Sequence, residues 1–227
     1  MRAAWRSIPP ALILAAGLAA APVGAAPVTC EDPAFFVETA EPATREMICA
    51  AASGARQALA RCGLEQREPI GIETVDSLIH AIGQCLAAYD CTLKRIRIIA
   101  PELLREHLPP DDPYAALPDE VVFGSLLTHE LAHAIVVQQS GDREIALVDH
   151  EYIANALELS ALPPEHRETL LDAAGVEPPV SADVIDLFIY GLAPRRFAAA
   201  AYLYLEANGC GTVTDILEGT ATFRVAR

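Results

Sequence analysis

Two histidines and a glutamate stand at a spacing that suits metal chemistry. The residues His129-Glu130-Leu131-Ala132-His133 place the histidines four positions apart. Residues four apart lie on one face of an α-helix, so both imidazoles would project toward one point. Zinc binds imidazole nitrogens, and a nearby carboxylate can accept a proton from a metal-activated water. The spacing therefore predicts a metal site with two histidine ligands and Glu130 as general base.

The segment around these residues has the pattern of a buried helix. Pro118 and the acids Asp119 and Glu120 suit a helix start, and Gly141 suits its end. Apolar residues cover much of the circumference: Val121, Val122, Leu126, Leu127, Leu131, Ile135 and Val136. Two imidazoles and a carboxylate on such a helix would be costly without a metal or other polar partners.

A catalytic zinc site uses three protein ligands, so a third must come from another element. If the chain reverses near Gly141, a second helix, predicted at about residues 146–161, returns alongside the first. It regains the level of His133 near residues 149–152. The third ligand is therefore expected in this short stretch.

Three side chains in that stretch could bind a metal. Glu151 is preferred because its helix face continues with the polar residues Asn155 and Glu158. His150 lies on an apolar face, and it remains an alternative together with Asp149. A solvated acid at the start of a helix, favoured by the helix dipole, is the simplest other explanation for Glu151.

The motif with a glutamate on the next helix resembles the gluzincins, a group of zincin metallopeptidases. The resemblance implies that His129, His133 and Glu151 bind Zn²⁺ and that Glu130 is the catalytic base. In this group an amide or carboxylate four residues after the third ligand often supports a ligand histidine, which implies that role for Asn155. No glycine-rich extension leads to a third histidine, so the metzincin pattern is missing.

The predicted elements suit an α+β fold of zincin type, and the resemblance covers about residues 118–160. Alternating apolar residues predict strands at 69–75 and 94–100, while 84–89 fits a strand or a helix. Zincins bind extended peptides along an edge strand of their sheet, and the stretch 84–99 is the candidate for it. Helix patterns cover 42–61, 101–107, 118–140, 146–161, 164–174, 182–191 and 194–208. A small N-terminal sheet would thus precede a buried helix and a helical C-terminal part.

A peptidase usually has a hydrogen-bond donor for the oxyanion in addition to the metal. Tyr152, Tyr190 and Arg195 are candidates, and Tyr202 and Arg196 extend the set. The simpler interpretation is packing for the tyrosines and solvated charge for the arginines.

The N-terminus has the order of a secretory signal peptide. Two arginines precede an uncharged apolar run at 11–21, and small residues follow up to Ala25. Cleavage after Ala25, or alternatively after Ala26, would leave residues 26–227 as one exported domain in the periplasm or outside the cell. No second run predicts a membrane span in the mature chain. The net charge of −15 disfavours nucleic acid and anionic membranes as partners, and the oligomeric state is not predicted.

Six cysteines in an exported chain imply disulfide bonds. A helix over 42–61 would hold Cys49 and Cys62 about 20 Å apart, too far for a bond between them. Cys85 and Cys91 flank a short turn-like stretch and are predicted to pair. The other four are expected to pair among themselves: Cys30, Cys49, Cys62 and Cys210.

These patterns lead to one functional hypothesis and two alternatives. The first is a zinc-dependent peptidase that hydrolyses peptide bonds in peptides or proteins. The second is a non-catalytic zinc-binding or protein-interaction domain that keeps the zincin fold. The third is a structural domain without metal.

Overall fold

Strands and helices alternate in the first half of the chain, and helices form the second half. The computed structural model describes residues 26–39, 41–80 and 83–225, so the signal peptide predicted for residues 1–25 lies outside the described residues. The strands are β1 (Val28–Thr29), β2 (Phe35–Glu38), β3 (Ile70–Val75), β4 (Ile79–His80), β5 (Gly83–Gln84), β6 (Ala87–Asp90) and β7 (Arg95–Ile99). The helices are α1 (Pro42–Ala60), α2 (Leu104–His107), α3 (Asp119–Ser140), α4 (Leu147–Ala161), α5 (Pro164–Ala174), α6 (Leu187–Leu192), α7 (Pro194–Asn208) and α8 (Gly211–Glu218). The fold class is α+β, as the sequence predicts.

Five strands form one mixed sheet in the order β1-β2-β3-β7-β6. The three central strands β2, β3 and β7 are parallel, and helix α1 connects the first two of them. Strand β6 runs antiparallel to β7 and forms one edge, with Tyr89 opposite Ile96. Strands β4 and β5 pair separately as a small hairpin. The stretch 84–89, which fits either a strand or a helix, is thus mainly the edge strand.

The two faces of the sheet differ because side chains alternate along each strand. One face is fully buried against α1 and α3: Phe35, Val37, Ile70, Ile72, Ile96 and Ile98. The other face carries partly exposed ion pairs, in which Arg95 contacts Glu38 at 3.0 Å and Glu73 at 3.3 Å. Arg97 contacts the same Glu73 at 3.7 Å.

Helix α3 lies at the centre of the fold, in contact with α1, α4, β6 and β7. Val122, Phe123, Leu127, Leu131 and Ile135 are all fully buried along it. Among the described residues it is the one helix long and apolar enough to cross a membrane, and 56 % of that segment is buried inside the protein. Such burial is expected for the core helix of a soluble domain, which satisfies the same criterion of length and hydropathy.

The predicted chain reversal after α3 is confirmed. Gly141 ends the helix with a positive φ of 59°, a conformation that glycine adopts without the steric cost of a side chain. Helix α4 then returns and packs along α3, while α7 covers the other side of α4. Inside this layer α4 buries four polar side chains: Asp149, Glu151, Asn155 and Glu158.

The helix predicted for 182–191 is interrupted. A 3₁₀ turn at Ala182–Val184 is followed by Asp186, whose carboxylate accepts the backbone N–H of Phe188 at 2.7 Å and caps α6. This capping bond favours a new helix start over a continuous helix. The sequence patterns do not predict strands β1, β2 and β4 or helix α8.

Two disulfides connect distant parts of the chain, Cys30–Cys49 and Cys62–Cys210. Both lie among the four cysteines expected to pair with one another, and Cys49 does not bond Cys62. Disulfides persist in oxidising compartments, so they indicate an extracellular or periplasmic environment.

The predicted Cys85–Cys91 disulfide is wrong, because both thiols are free. The residues between them form strand β6 rather than a turn. Six residues of extended chain span about 20 Å, whereas a disulfide needs Cα atoms within about 7 Å.

Candidate metal centre

The two histidines of α3 face each other across one helical turn. His129 Nε2 and His133 Nε2 are 3.1 Å apart, and both side chains are 17 % exposed. Both imidazoles are therefore largely buried, yet solvent still reaches them. The spacing of four residues thus brings two nitrogen atoms to one point, as the sequence predicts.

Glu151 supplies a carboxylate to the same point from α4. Its Oε2 lies 3.7 Å from His129 Nε2, and its Oε1 lies 3.7 Å from His133 Nε2. These three residues offer ligand atoms that all lie within 4.8 Å of one another. Ligand atoms about 2.0–2.1 Å from a tetrahedral zinc are separated by about 3.4 Å, and the two nitrogens at 3.1 Å, with a different carboxylate oxygen 3.7 Å from each, come close to that spacing.

The alternatives to Glu151 lie elsewhere. The Asp149 carboxylate accepts hydrogen bonds from the Thr222 hydroxyl at 2.6 Å and the Phe223 backbone N–H at 2.7 Å. Asp149 therefore holds the C-terminal segment. The ring of His150 lies beside that of His133 with centroids 5.7 Å apart, and His150 is not in the cluster of ligand atoms.

Glu158 contacts the far side of His129, which sequence reasoning did not foresee. Its Oε2 is 2.9 Å from His129 Nδ1, while its Oε1 accepts the hydroxyls of Tyr114 at 2.5 Å and Ser125 at 2.6 Å. A hydrogen on Nδ1 leaves the Nε2 lone pair free for a metal. The available signal was the polar face of α4, on which Glu158 lies two turns beyond Glu151.

Asn155 does not support a ligand histidine, contrary to what the gluzincin resemblance implies. Its amide donates to the Glu151 backbone carbonyl at 2.8 Å and to Glu151 Oε2 at 3.4 Å. Four residues after Glu151 on the same helix, the short amide reaches back along α4 instead of across to α3. Asn155 therefore orients the carboxylate of Glu151, and Glu158 takes the position next to His129.

Glu130 lies between the cluster and the edge strand. It is 9 % exposed, and its Oε2 accepts the backbone N–H of Tyr89 in β6 at 2.8 Å. Burial raises the pKa of Glu130 to about 7, even though the charge of His129 and the Tyr89 N–H act to lower it. The carboxyl group therefore has a proton affinity that suits exchange near neutral pH.

The two histidines have opposite protonation preferences in the metal-free site. Burial lowers the pKa of His129, but the hydrogen bond and charge of Glu158, with the charges of Glu130 and Glu151, outweigh it and raise the pKa to about 9. Burial, followed by the charge of His129, holds the pKa of His133 well below its ordinary value. Without a metal, the positive charge in this cluster is thus carried by a protonated His129.

The two glutamates of α4 also differ. Burial raises the pKa of Glu151, against the charge of His129 and hydrogen bonds from Tyr190 and Asn155. For Glu158, the bonds and charge of its neighbours, His129 first, outweigh burial and lower the pKa. The surroundings of Glu158 therefore favour its anionic form, whereas those of Glu151 favour its protonated form when no metal is bound.

The predicted oxyanion donors have separate locations. The Tyr190 hydroxyl lies near Glu151, and burial and the charge of Glu151 raise the pKa of Tyr190. Tyr152 is fully buried and packs against Tyr204 and Phe223, with ring centroids 6.0 Å and 4.6 Å away. Tyr190 is thus beside the cluster, and Tyr152 is not.

The arginine candidates do not reach the ligand atoms. Arg195 pairs with Asp112 at 2.7 Å and lies 4.1 Å above the ring of Tyr114. Arg196 is exposed, and Tyr202 is stacked by Arg167 at 5.1 Å. These side chains belong to the surroundings of the site rather than to its open side.

Among known proteins, no curated protein and no solved structure has a significant match to this chain. A family model does match, over residues 35–226, a range that contains the sheet, α3, α4 and every residue of the cluster. The chain therefore belongs to DUF6639, a family of unknown function.

Proposed function

We propose that this protein is an exported zinc-dependent metallopeptidase with a zincin-like site. The observation that carries the proposal is the convergence of His129 Nε2, His133 Nε2 and the Glu151 carboxylate at separations of 3.1–3.7 Å. Glu130 stands beside this cluster on the same helix. Three candidate protein ligands that are not fully enclosed, next to a carboxylate, match the composition of a catalytic zinc site.

The residues present fit a divalent cation. With a hydrogen on His129 Nδ1 toward Glu158, two imidazole lone pairs would face each other at 3.1 Å. That arrangement is repulsive unless a proton or a cation lies between them. Two nitrogens and one carboxylate oxygen are donors that zinc accepts readily.

The chain's own residues then suit hydrolysis. When bound, zinc supplies a Lewis acid that lowers the pKa of water at the open position. Glu130 accepts the proton of the attacking water and returns it to the departing amine. The Tyr190 hydroxyl, which lies near Glu151, is the candidate donor to a developing oxyanion.

The edge strand β6 suits an extended peptide substrate. The Leu86 carbonyl bonds Ile99 of β7, so by alternation the backbone groups of Ala87 and Tyr89 point to the open edge. The Tyr89 N–H already reaches Glu130 at 2.8 Å. A peptide that pairs with β6 at Tyr89 would replace this contact and lie next to the proposed base.

The proposal is tested by Glu130→Gln in the mature protein, with Glu120→Gln at the exposed start of α3 as the matched control. Wild type and both variants should hold about one zinc per chain in elemental analysis. Cleavage of a peptide library should fall about 10²- to 10⁴-fold in Glu130→Gln and stay unchanged in Glu120→Gln.

Two outcomes would contradict the proposal, the first in its mechanism and the second in its activity. Normal cleavage by Glu130→Gln would mean that Glu130 is not the general base. Zinc binding by wild type without cleavage of any library peptide would favour the non-catalytic zinc-binding domain instead.

A further inference from the structure

A continuous set of contacts leads from the surface of the protein to His129. Arg195 at the start of α7 pairs with Asp112, which precedes the short 3₁₀ helix Pro113–Ala116. Tyr114 of that helix bonds Glu158, and Glu158 bonds His129. Three separate segments, at residues 112–116, 158 and 195, thus meet behind one candidate ligand.

Tyr114 is fixed in three ways. Its backbone N–H donates to Asp112 Oδ1 at 3.0 Å, and its ring lies 4.1 Å below the Arg195 guanidinium. Its hydroxyl donates to Glu158 Oε1 at 2.5 Å, and the side chain is 2 % exposed. Arg195 and Asp112 therefore hold Tyr114 by its ring and its backbone, so that its hydroxyl has one possible direction.

Glu158 depends on these contacts because it is a buried anion. Its two oxygens accept from Tyr114, Ser125 and His129, and only 4 % of the residue is exposed. A buried carboxylate is costly unless its lone pairs are satisfied. Loss of one donor would weaken the hold on the other oxygen, the one that faces His129 Nδ1.

We infer that Tyr114 and Arg195 are positioning residues of the metal centre, which act on His129 through Glu158. The inference rests on the proposed function, since it takes His129 as a zinc ligand. The rigid carboxylate keeps the hydrogen on Nδ1 and the ring in one orientation, so that Nε2 faces the metal. Arg195 thus acts at a distance from the reacting atoms and is not an oxyanion donor.

The test is the zinc affinity of Tyr114→Phe, measured by competition with a chelator of known affinity. Phenylalanine keeps the ring under Arg195 and removes only the hydroxyl. Zinc should bind about three- to ten-fold more weakly, less than the 10- to 100-fold typical of groups that touch a ligand directly. Arg195→Gln should have a smaller effect of about two-fold, because it loosens Tyr114 without removing its hydroxyl.

Matched variants separate positioning from general stability. Tyr152→Phe removes a buried hydroxyl away from the cluster, and Arg196→Gln removes the exposed guanidinium that follows Arg195 in the chain. Both should bind zinc as wild type does. The visible spectrum of the cobalt-substituted protein gives a second readout, and it should change in Tyr114→Phe and not in Tyr152→Phe.

If Tyr114→Phe folds poorly, Ser125→Ala removes the other donor to the same Glu158 oxygen and should weaken zinc binding in the same way. Equal zinc affinity and equal cobalt spectra in Tyr114→Phe and Tyr152→Phe would overturn the inference. A wild-type protein that binds zinc without cleaving peptides would overturn only the proposed peptidase. A wild-type protein that binds no zinc would overturn both.

Discussion

Two groups of charged side chains in this protein are organised in opposite ways. On the outer face of the sheet, two arginines match two glutamates, and Arg95 alone contacts both Glu38 and Glu73. Between α3 and α4, three glutamates gather around two histidines: Glu130, Glu151 and Glu158 around His129 and His133. The first group is partly exposed and balanced, whereas the second is buried and has an excess of acid.

The two arrangements differ in their energetic cost. Partly exposed ion pairs cost little and contribute at most about 1 kcal/mol each. Buried carboxylates without matching cations cost several kcal/mol, so proteins retain them mainly where they serve a function. Under our proposal, the α3–α4 interface is therefore a cation site, and the outer face of the sheet is ordinary surface.

The largest expected effect comes from removing a ligand. Glu151→Gln or His133→Ala should weaken zinc binding more than about 100-fold, beyond the range known for groups that only support a ligand. Glu73→Gln on the sheet is the control, and its zinc affinity should equal that of wild type. Chelator competition measures all three, and equal affinities in Glu151→Gln and Glu73→Gln would remove the distinction between the two groups.

The second expected effect is a pH-dependent cost of removing the metal. In metal-free protein the pKa of His129 is about 9, above its ordinary value of 6.5, so its proton stabilises the fold at low pH. That contribution is lost as pH rises from about 7 through 9, and it amounts to on the order of 2 kcal/mol. Glu130, whose pKa is raised to about 7, also makes the metal-free fold less stable as pH rises, and it is largely ionised by pH 8.

The metal replaces this proton, so the zinc-loaded protein should not lose the same stability. The difference in free energy of unfolding between the zinc-loaded and chelated forms should therefore widen between pH 7 and pH 9. Urea unfolding at several pH values measures it. In Glu158→Gln the chelated form should depend less on pH, because the main group that stabilises the His129 proton is gone. A constant difference in wild type would contradict this account.

A third test uses the two free thiols at the ends of β6. Burial, and then the charge of Glu130, raise the pKa of Cys85, whereas Cys91 is exposed. Only the thiolate reacts with iodoacetamide, so Cys91 should be labelled several-fold faster than Cys85. Peptide mass analysis after timed labelling identifies each site. Resistance of both thiols until the protein is reduced would restore the Cys85–Cys91 disulfide.

The smallest effect is expected on the sheet surface. Glu38→Gln removes one of two carboxylates that contact Arg95, and Glu73 remains in contact. The free energy of unfolding should fall by less than about 1 kcal/mol, and less still in high salt. A loss of several kcal/mol, measured by urea unfolding, would mean that this face is not ordinary surface.

Local patterns in the sequence are sufficient to predict the long helices and the residues that they bring together. The apolar surround of His129 and the stop at Gly141 predict α3, and the level reached by the returning chain predicts the stretch that contains Glu151. Two ligands on one helix and a third on its neighbour depend on helix geometry alone, so they follow from spacing. The interruption at Asp186 depends on one capping bond, which a window of apolar residues does not reveal.

Local sequence patterns do not predict contacts between segments that are distant in the chain. Tyr114 and Ser125 reach Glu158 from elements 44 and 33 residues away, and no spacing rule connects them. Asn155 was assigned by analogy, but its own helix offers a nearer acceptor in Glu151. Cys85 and Cys91 were paired by closeness in sequence, and the extended strand between them separates them in space.

The most direct test is anomalous X-ray diffraction from crystals of the mature protein, recorded on both sides of the zinc absorption edge. The account predicts one strong peak about 2.0–2.2 Å from His129 Nε2, His133 Nε2 and a Glu151 oxygen, with protein ligands on three sides only. Crystals grown with zinc that show no peak at this point would contradict it.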